Sequence, residues 1–151
     1  MIRLVVDANV LVGELLRLQG LALLRNSLLA LLITERARDE SQHELRRRVQ
    51  AMLHHGRLAP MAAHTLLAAA ERVLRERFAL VPVADYAAEE AIARRRIPRD
   101  SDDWPTVAAA LATQSSIWTN DADFLGCAVP VWTTQTLRLE HRGLVNAKGS
   151  V

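Results

Sequence analysis

Ile2-Arg3-Leu4-Val5-Val6-Asp7-Ala8-Asn9-Val10-Leu11 reads as a short, β-branched apolar strand that stops on a carboxylate, with Asn9 two residues further on. In a parallel α/β sheet the carboxyl ends of the strands face the ligand crevice. An acid at that point therefore faces a crevice rather than a core. The pattern returns in Ile117-Trp118-Thr119-Asn120-Asp121-Ala122-Asp123, a second short apolar strand ending on acids. Two such acids on neighbouring strand ends would begin a metal site.

Outward from these strands, the pattern alternates. Strand Ile2 to Val6 is followed by a helical stripe from about Asn9 to Arg25, with Leu11, Leu15, Leu18 and Leu21 on one side. Leu28 to Ile33 reads as a buried strand. Thr34 is placed to cap a helix towards His55, and Gly56 to stop it. Pro60 opens a helix through about Arg77, Leu80 to Val83 is a strand, and Asp85 to Arg96 is a helix with acids early and arginines late. Ile97 to Asp103 is a loop, Pro105 to about Gln114 a helix, and Ile117 to Thr119 and Val129 to Trp132 the last strands. Thr133 or Thr134 would cap a short terminal helix. The expected architecture is α/β: a three-layer α/β/α sandwich around a mostly parallel five-stranded sheet. A single domain is expected over residues 1–145, with 146–151 a flexible tail.

Composition agrees with a globular chain: 151 residues, half of them hydrophobic. The apolar stretch Gly20 to Ile33 is broken by Arg25 and Asn26, too early for a membrane span. No signal peptide is evident. A lone Cys127, without a base beside it, fits a buried thiol in a reducing cytoplasm. The net charge is +2, and the positive charge is nearly all arginine, clustered at Arg46 to Arg48, at Arg72, Arg75 and Arg77, and at Arg94 to Arg96 with Arg99. Arginine suits phosphate, so nucleic acid is a permitted partner, although composition alone favours solvated helix faces as the explanation of such clusters. His43, His54, His55 and His64 lack cysteine partners at zinc-ligand spacing. Met52 and Met61 read as packing, and the Leu/Ala stripe from Met61 to Leu74 as core or an oligomer face.

Each acid has an ordinary structural explanation. Asp103 could cap the helix after it, Asp121 or Asp123 could close an Asx-turn, and Asp7 precedes a helix. Asp100, Asp102 and Asp103, however, exceed what one cap needs, and they repel one another unless cations are near. Glu40 and Glu44 lie one turn apart on the helix after the second strand. Taken together, the acids gather on the edge of the sheet where the topology places a crevice.

This arrangement resembles the PIN-domain nucleases, including the VapC-like toxins of bacterial toxin–antitoxin pairs. The resemblance runs from about Ile2 to Leu137: a strand ending Val6-Asp7-Ala8-Asn9, a Glu in the helix after the second strand, Asp103 before Trp104-Pro105-Thr106-Val107-Ala108, and Trp118-Thr119-Asn120-Asp121-Ala122-Asp123-Phe124-Leu125. It implies an acidic quartet of Asp7, Glu40, Asp103 and Asp121, supported by Asn9, Asp100, Thr119 and Asp123. Glu44 is the alternative to Glu40, and Asp102 the alternative to Asp103. Four carboxylates suit Mg²⁺ or Mn²⁺. The implied reaction is hydrolysis of phosphodiester bonds in single-stranded RNA, with a homodimer and a cognate antitoxin as implied partners. Arg94, Arg95, Arg96 and Arg99 are placed to guide the strand. Trp104 is a possible stacking platform but suits packing better, while Trp118 and Trp132 suit the core.

Three other readings compete. A phosphoacceptor receiver needs a lysine on a late strand, and Lys148 lies in the tail. A haloacid-dehalogenase-like phosphatase needs Asp-x-Asp where this chain has Asp7-Ala8-Asn9. A catalytically inactive PIN-like module that binds RNA or protein is the third.

Overall fold

All five strands of the sheet run in the same direction, so every connection between them must cross over one face. The computed structural model describes residues 1–148, with side chains through Arg142. Strands β1 (Ile2–Val6), β2 (Leu29–Thr34), β3 (Phe78–Val81), β4 (Ser116–Trp118) and β5 (Val131–Trp132) are ordered β3-β2-β1-β4-β5. The sheet is wholly parallel rather than mostly so.

Because side chains alternate across a strand, β1 and β4 feed two cores. Leu4, Val6 and Trp118 join α1 (Ala8–Leu15), α2 (Leu18–Leu24), α3 (Glu35–His54), α4 (Pro60–Arg77) and Leu137 of α8 (Thr134–Lys148). Val5 and Ile117 face the other way, against Tyr86 of α5 (Val83–Tyr86), Ala93 of α6 (Glu90–Arg96) and Val107 to Ala110 of α7 (Trp104–Thr113). Helices therefore cover both faces, giving the expected three-layer sandwich. Among the described residues, no helix is long and apolar enough to cross a membrane.

Several boundaries differ from the sequence expectation, each for a local reason. The helix expected from Asn9 to Arg25 is two helices, because Arg17 is extended (φ −121°, ψ 139°). The corner brings Gly20 onto α1, where a Cβ would lie 2.6 Å from the Glu14 Cα and overlap its carbonyl oxygen. Glu14 itself is only 3% exposed, and its carboxylate pairs with Arg138 of α8 at 3.2 Å. β3 starts two residues early, where Arg77 binds the carbonyls of Leu24, Asn26 and Leu29, and stops before Pro82, which has no N–H for the ladder. The helix expected over Asp85 to Arg96 breaks after Tyr86, whose buried residue adopts φ −125°, into α5, a 3₁₀ turn at Ala87–Glu89 and α6.

β5 is only Val131–Trp132, following Pro130, whose carbonyl accepts from the Ile117 N–H at 2.8 Å. The terminal helix is not short: α8 runs fifteen residues to Lys148. Asn146 to Lys148 are thus helical where a loose end is expected, and Gly149 to Val151 lie outside the described residues. Thr133 caps it reciprocally, its hydroxyl accepting from the Thr136 N–H at 3.2 Å and its own N–H donating to the Thr136 hydroxyl at 3.0 Å.

Other expectations match. The Thr34 hydroxyl accepts from the Ala37 N–H at 3.1 Å to open α3, and Gly56 follows that helix at φ +66°. Along α4, Ala63, Ala70, Val73 and Leu74 are core; Met61, expected to pack, is instead 76% exposed in the first turn of α4. The arginines of α3 and α4 are largely matched to acids: Arg46 to Glu71, Arg47 and Arg48 to Glu44, and Arg72 to Glu76. These are solvated, charge-balanced faces.

Gly20→Ala tests the corner between α1 and α2. The added methyl meets backbone, which cannot swing aside, so the variant should lose about 1–3 kcal/mol of stability in denaturant unfolding. An unchanged midpoint would show that the corner relaxes freely.

Candidate active site

The chain moves outward from β1 to β2 and β3, then returns to place β4 on the other side of β1. That reversal makes the β1–β4 boundary the topological switch point, outside whose carboxyl ends ligands bind in open parallel sheets. Asp7 follows β1 and Thr119 follows β4. The Asp7 N–H donates to the Trp118 carbonyl at 3.0 Å, which extends the ladder to the crevice floor.

Here the side chains form a relay. The Thr119 hydroxyl donates to Asp7 Oδ2 at 2.8 Å and accepts from the Asp121 N–H at 3.0 Å. Asp121 Oδ1 accepts from the Asp123 N–H at 2.8 Å, closing an Asx-turn. Asp7 is 7% exposed and stands at the N-terminus of α1 without capping it. Burial pushes its carboxyl up from the usual range; the Thr119 hydrogen bond and the Asn9 and Ala8 amides pull it down, and Asp121 adds repulsion.

Asp103 likewise stands at the start of α7 without a capping bond from its side chain. Its carboxyl is pushed up to about 6 by burial and by the charges of Asp100, Asp7 and Asp121, against the pull of Arg36. The fold thus brings Asp7, Asp103 and Asp121 into one electrostatic neighbourhood, with Asp100 at its edge. Asp100 has a structural role too, accepting from the Asp102 N–H at 3.3 Å. Asp102 points outward, its carboxylate 3.6 Å from Arg94.

Glu40 lies at the margin. It pairs with Arg36, one turn earlier, at 2.8 Å, and borders a cavity of about 310 Å³ with Asn9, His43 and Glu44. Glu44 is held by Arg47 and Arg48, which keep its carboxyl low, at about 2. Arg36 was not singled out by the sequence reading, although its four-residue spacing from Glu40 was the available signal. Arg36 Nη1 also donates to the Asp102 carbonyl at 3.0 Å, joining α3 to the Asp100–Asp103 loop.

The flanking cations divide. Arg94 is a clasp: it pairs with Glu90 at 2.9 Å, donates to the Ser101 carbonyl at 3.1 Å and covers Trp104, 5.4 Å from the ring centroid. Trp104 in turn packs on Tyr86, with centroids 5.7 Å apart. Arg99 reaches Asp123 at 3.7 Å and so bridges the Asp100–Asp103 loop and the loop carrying Asp121 and Asp123. Arg95 is exposed and Arg96 half-buried. Trp118 is fully buried and donates to the Thr134 hydroxyl at 3.1 Å, while Trp132 is half-buried against the same core.

Among the described residues, no three Asp, Glu, His or Cys side chains stand close enough to hold an ion as they are. The chemistry of the donors nevertheless fits a hard cation: they are oxygen donors only, and Asp7 and Asp103 are partly desolvated and raised by neighbouring carboxylates.

A parallel α/β domain with carboxylates gathered at its switch point is the class these features define. Residues 5–142 match the PIN domain, and the chain belongs to the PIN-domain family. PIN domains are generally nucleases, that is, hydrolases. A comparison with curated proteins gives no match.

The acids set a pH dependence. Asp103 binds its proton more tightly folded than unfolded, so its contribution to stability is complete below about pH 4 and is lost as pH rises through about 6. With divalent ions chelated, the melting temperature should fall across that window, and Asp103→Asn should flatten the fall. Equal slopes in both proteins would remove Asp103 from the cluster.

Proposed function

We propose that this protein is a divalent-metal-dependent endoribonuclease that hydrolyses phosphodiester bonds of single-stranded RNA. The observation that carries the reading is Asp7: a nearly buried carboxylate at the switch point, fixed by Thr119 and coupled to Asp103 and Asp121. Asp7, Asp103 and Asp121, completed by Glu40, would hold Mg²⁺ or Mn²⁺. Such a cation, when bound, stabilises the charge that develops on the phosphate.

The chain's own residues do the remainder. Thr119 orients Asp7 and fixes the Asp121 backbone with a single hydroxyl. Asp123 and Arg99 tie the loops on which Asp121 and Asp103 stand. Glu40, steered by Arg36, would orient the attacking water. Asn9, exposed at the cavity rim beside Glu40, would contact the strand, and Arg95, Arg96 and Arg99 would take flanking phosphates.

A role as the toxin of a toxin–antitoxin pair, with a cognate antitoxin, homodimerisation and a cytoplasmic location, is supported by the resemblance to VapC-like members. An adjacent antitoxin reading frame, together with growth arrest on expression of this chain alone, would test it. One observation favours the alternative of a non-catalytic binding module: the Glu40 carboxylate is already engaged by Arg36 at 2.8 Å.

Asp7→Asn and Asp121→Asn should abolish Mn²⁺- or Mg²⁺-dependent cleavage of single-stranded RNA, with no loss of melting temperature, because a carboxamide oxygen can accept the Thr119 hydroxyl at position 7 and the Asp123 N–H at position 121. Retained cleavage in either variant, or a wild-type chain that binds no divalent ion by calorimetry, would overturn the catalytic reading. Thr119→Val should lower turnover about 10–100-fold, and Thr119→Ser should restore most of it. Equal activity of the Val and Ser variants would leave Thr119 without a positioning role.

A further inference from the structure

A second recess opens on the α1/α8 flank of the domain, away from Arg95, Arg96 and Arg99. Its volume is about 620 Å³, and Arg17, Arg138, Arg142, Asn120 and Gln135 line it together with Glu14. The charge of Glu14 is matched by Arg138. Among the described residues, neither Arg17 nor Arg142 meets an acid, so the recess is net positive. The crevice it adjoins is net negative.

The two are continuous along the chain. Asn120 stands directly before Asp121, and its side-chain oxygen accepts from the Thr134 N–H at 3.0 Å, which anchors the start of α8 beside the crevice. Helix α1 leaves the crevice immediately after Asp7 and carries Glu14, with Arg17 just past its end. At 1.5 Å per residue, Arg17 lies about 15 Å down that flank. The groove therefore leads from the acids along the side of the domain.

We propose that this groove is a phosphate-binding track that takes the sugar–phosphate backbone of the RNA strand where it leaves the acidic crevice. The proposal rests on the ribonuclease reading for its ligand. A polyanion held only at four carboxylates is repelled, and arginines beyond the crevice offset that repulsion for the phosphates on either side. The donors suit this role: guanidinium groups with amide and hydroxyl side chains bind phosphate and sugar oxygens. No aromatic side chain lines the recess, so bases would not stack there and contact would be independent of sequence. Leu139 is its single apolar side chain, which argues against an apolar protein segment as occupant.

The test is anisotropy of a labelled single-stranded oligoribonucleotide with the full chain in EDTA, repeated across salt concentrations. Each backbone contact contributes about 0.7 to the slope of log affinity against log salt. The double variant Arg17→Ala, Arg142→Ala should bind more weakly, with the slope reduced by about 1.4, while Arg17→Lys, Arg142→Lys should keep most of it. If the double variant fails to fold, each single variant should lose about 0.7. An unchanged slope, no RNA binding by the wild type, or displacement of RNA by polyglutamate as readily as by unlabelled RNA would overturn the track. The last result would assign the groove to an acidic protein segment. Cleavage plays no part in this readout: a track without catalysis leaves the slope change intact, and catalysis without a track leaves the slope unaltered.

Discussion

The parallel pairing of β1 with β4 is the contact on which everything else rests. It joins Leu4, Val5 and Val6 to Ser116, Ile117 and Trp118, more than a hundred residues away, and it brings Asp7 and Thr119 within hydrogen-bonding reach. The same three rungs carry both cores, because alternate residues of each strand point to opposite faces. Catalytic candidates and packing thus share one ladder. A change that slips this register by one residue would turn Trp118 into the wrong layer and separate the Asp7–Thr119 pair at once.

Much of this was visible in the sequence because strand-end acids break a strong pattern. A β-branched run that stops on Asp7, and a second that reaches Asp121, can be read without any knowledge of tertiary contacts. The ordinary explanations of these acids then divide in the structure. Asp100 and Asp121 do close turns, as short polar side chains tend to, whereas Asp103 caps nothing and Asp7 is turned to Thr119, the first amides of α1 only drawing its carboxyl down. Those two are also the acids whose ionisation the fold penalises.

What could not be read depended on contacts between distant segments. The corner at Arg17 follows from Gly20 seating on α1, which no local propensity encodes. Arg36 looked like one charge among many on a polar helix until the Asp100–Asp103 loop came to rest on it. The arginine clusters show the converse: similar in sequence, they separate into matched surface pairs, the Arg77 bracket on three carbonyls and the Arg94 clasp on Trp104. Charge density alone says little about which of them a ligand would meet.

The Glu14–Arg138 pair has a meaning for how the chain closes. Glu14 stands on α1, yet the cation that neutralises it, Arg138, lies 124 residues further along the chain, on α8. Until that helix arrives, closing α2 over α1 would bury an unmatched carboxylate, and β1 would still lack β4 as a neighbour. The α1–α2 corner and the β1–β4 ladder therefore both depend on segments far along the chain. Closure of the carboxylate crevice is thereby coupled to contacts between distant segments, and the site takes shape only when β4 and α8 have joined β1 and α1.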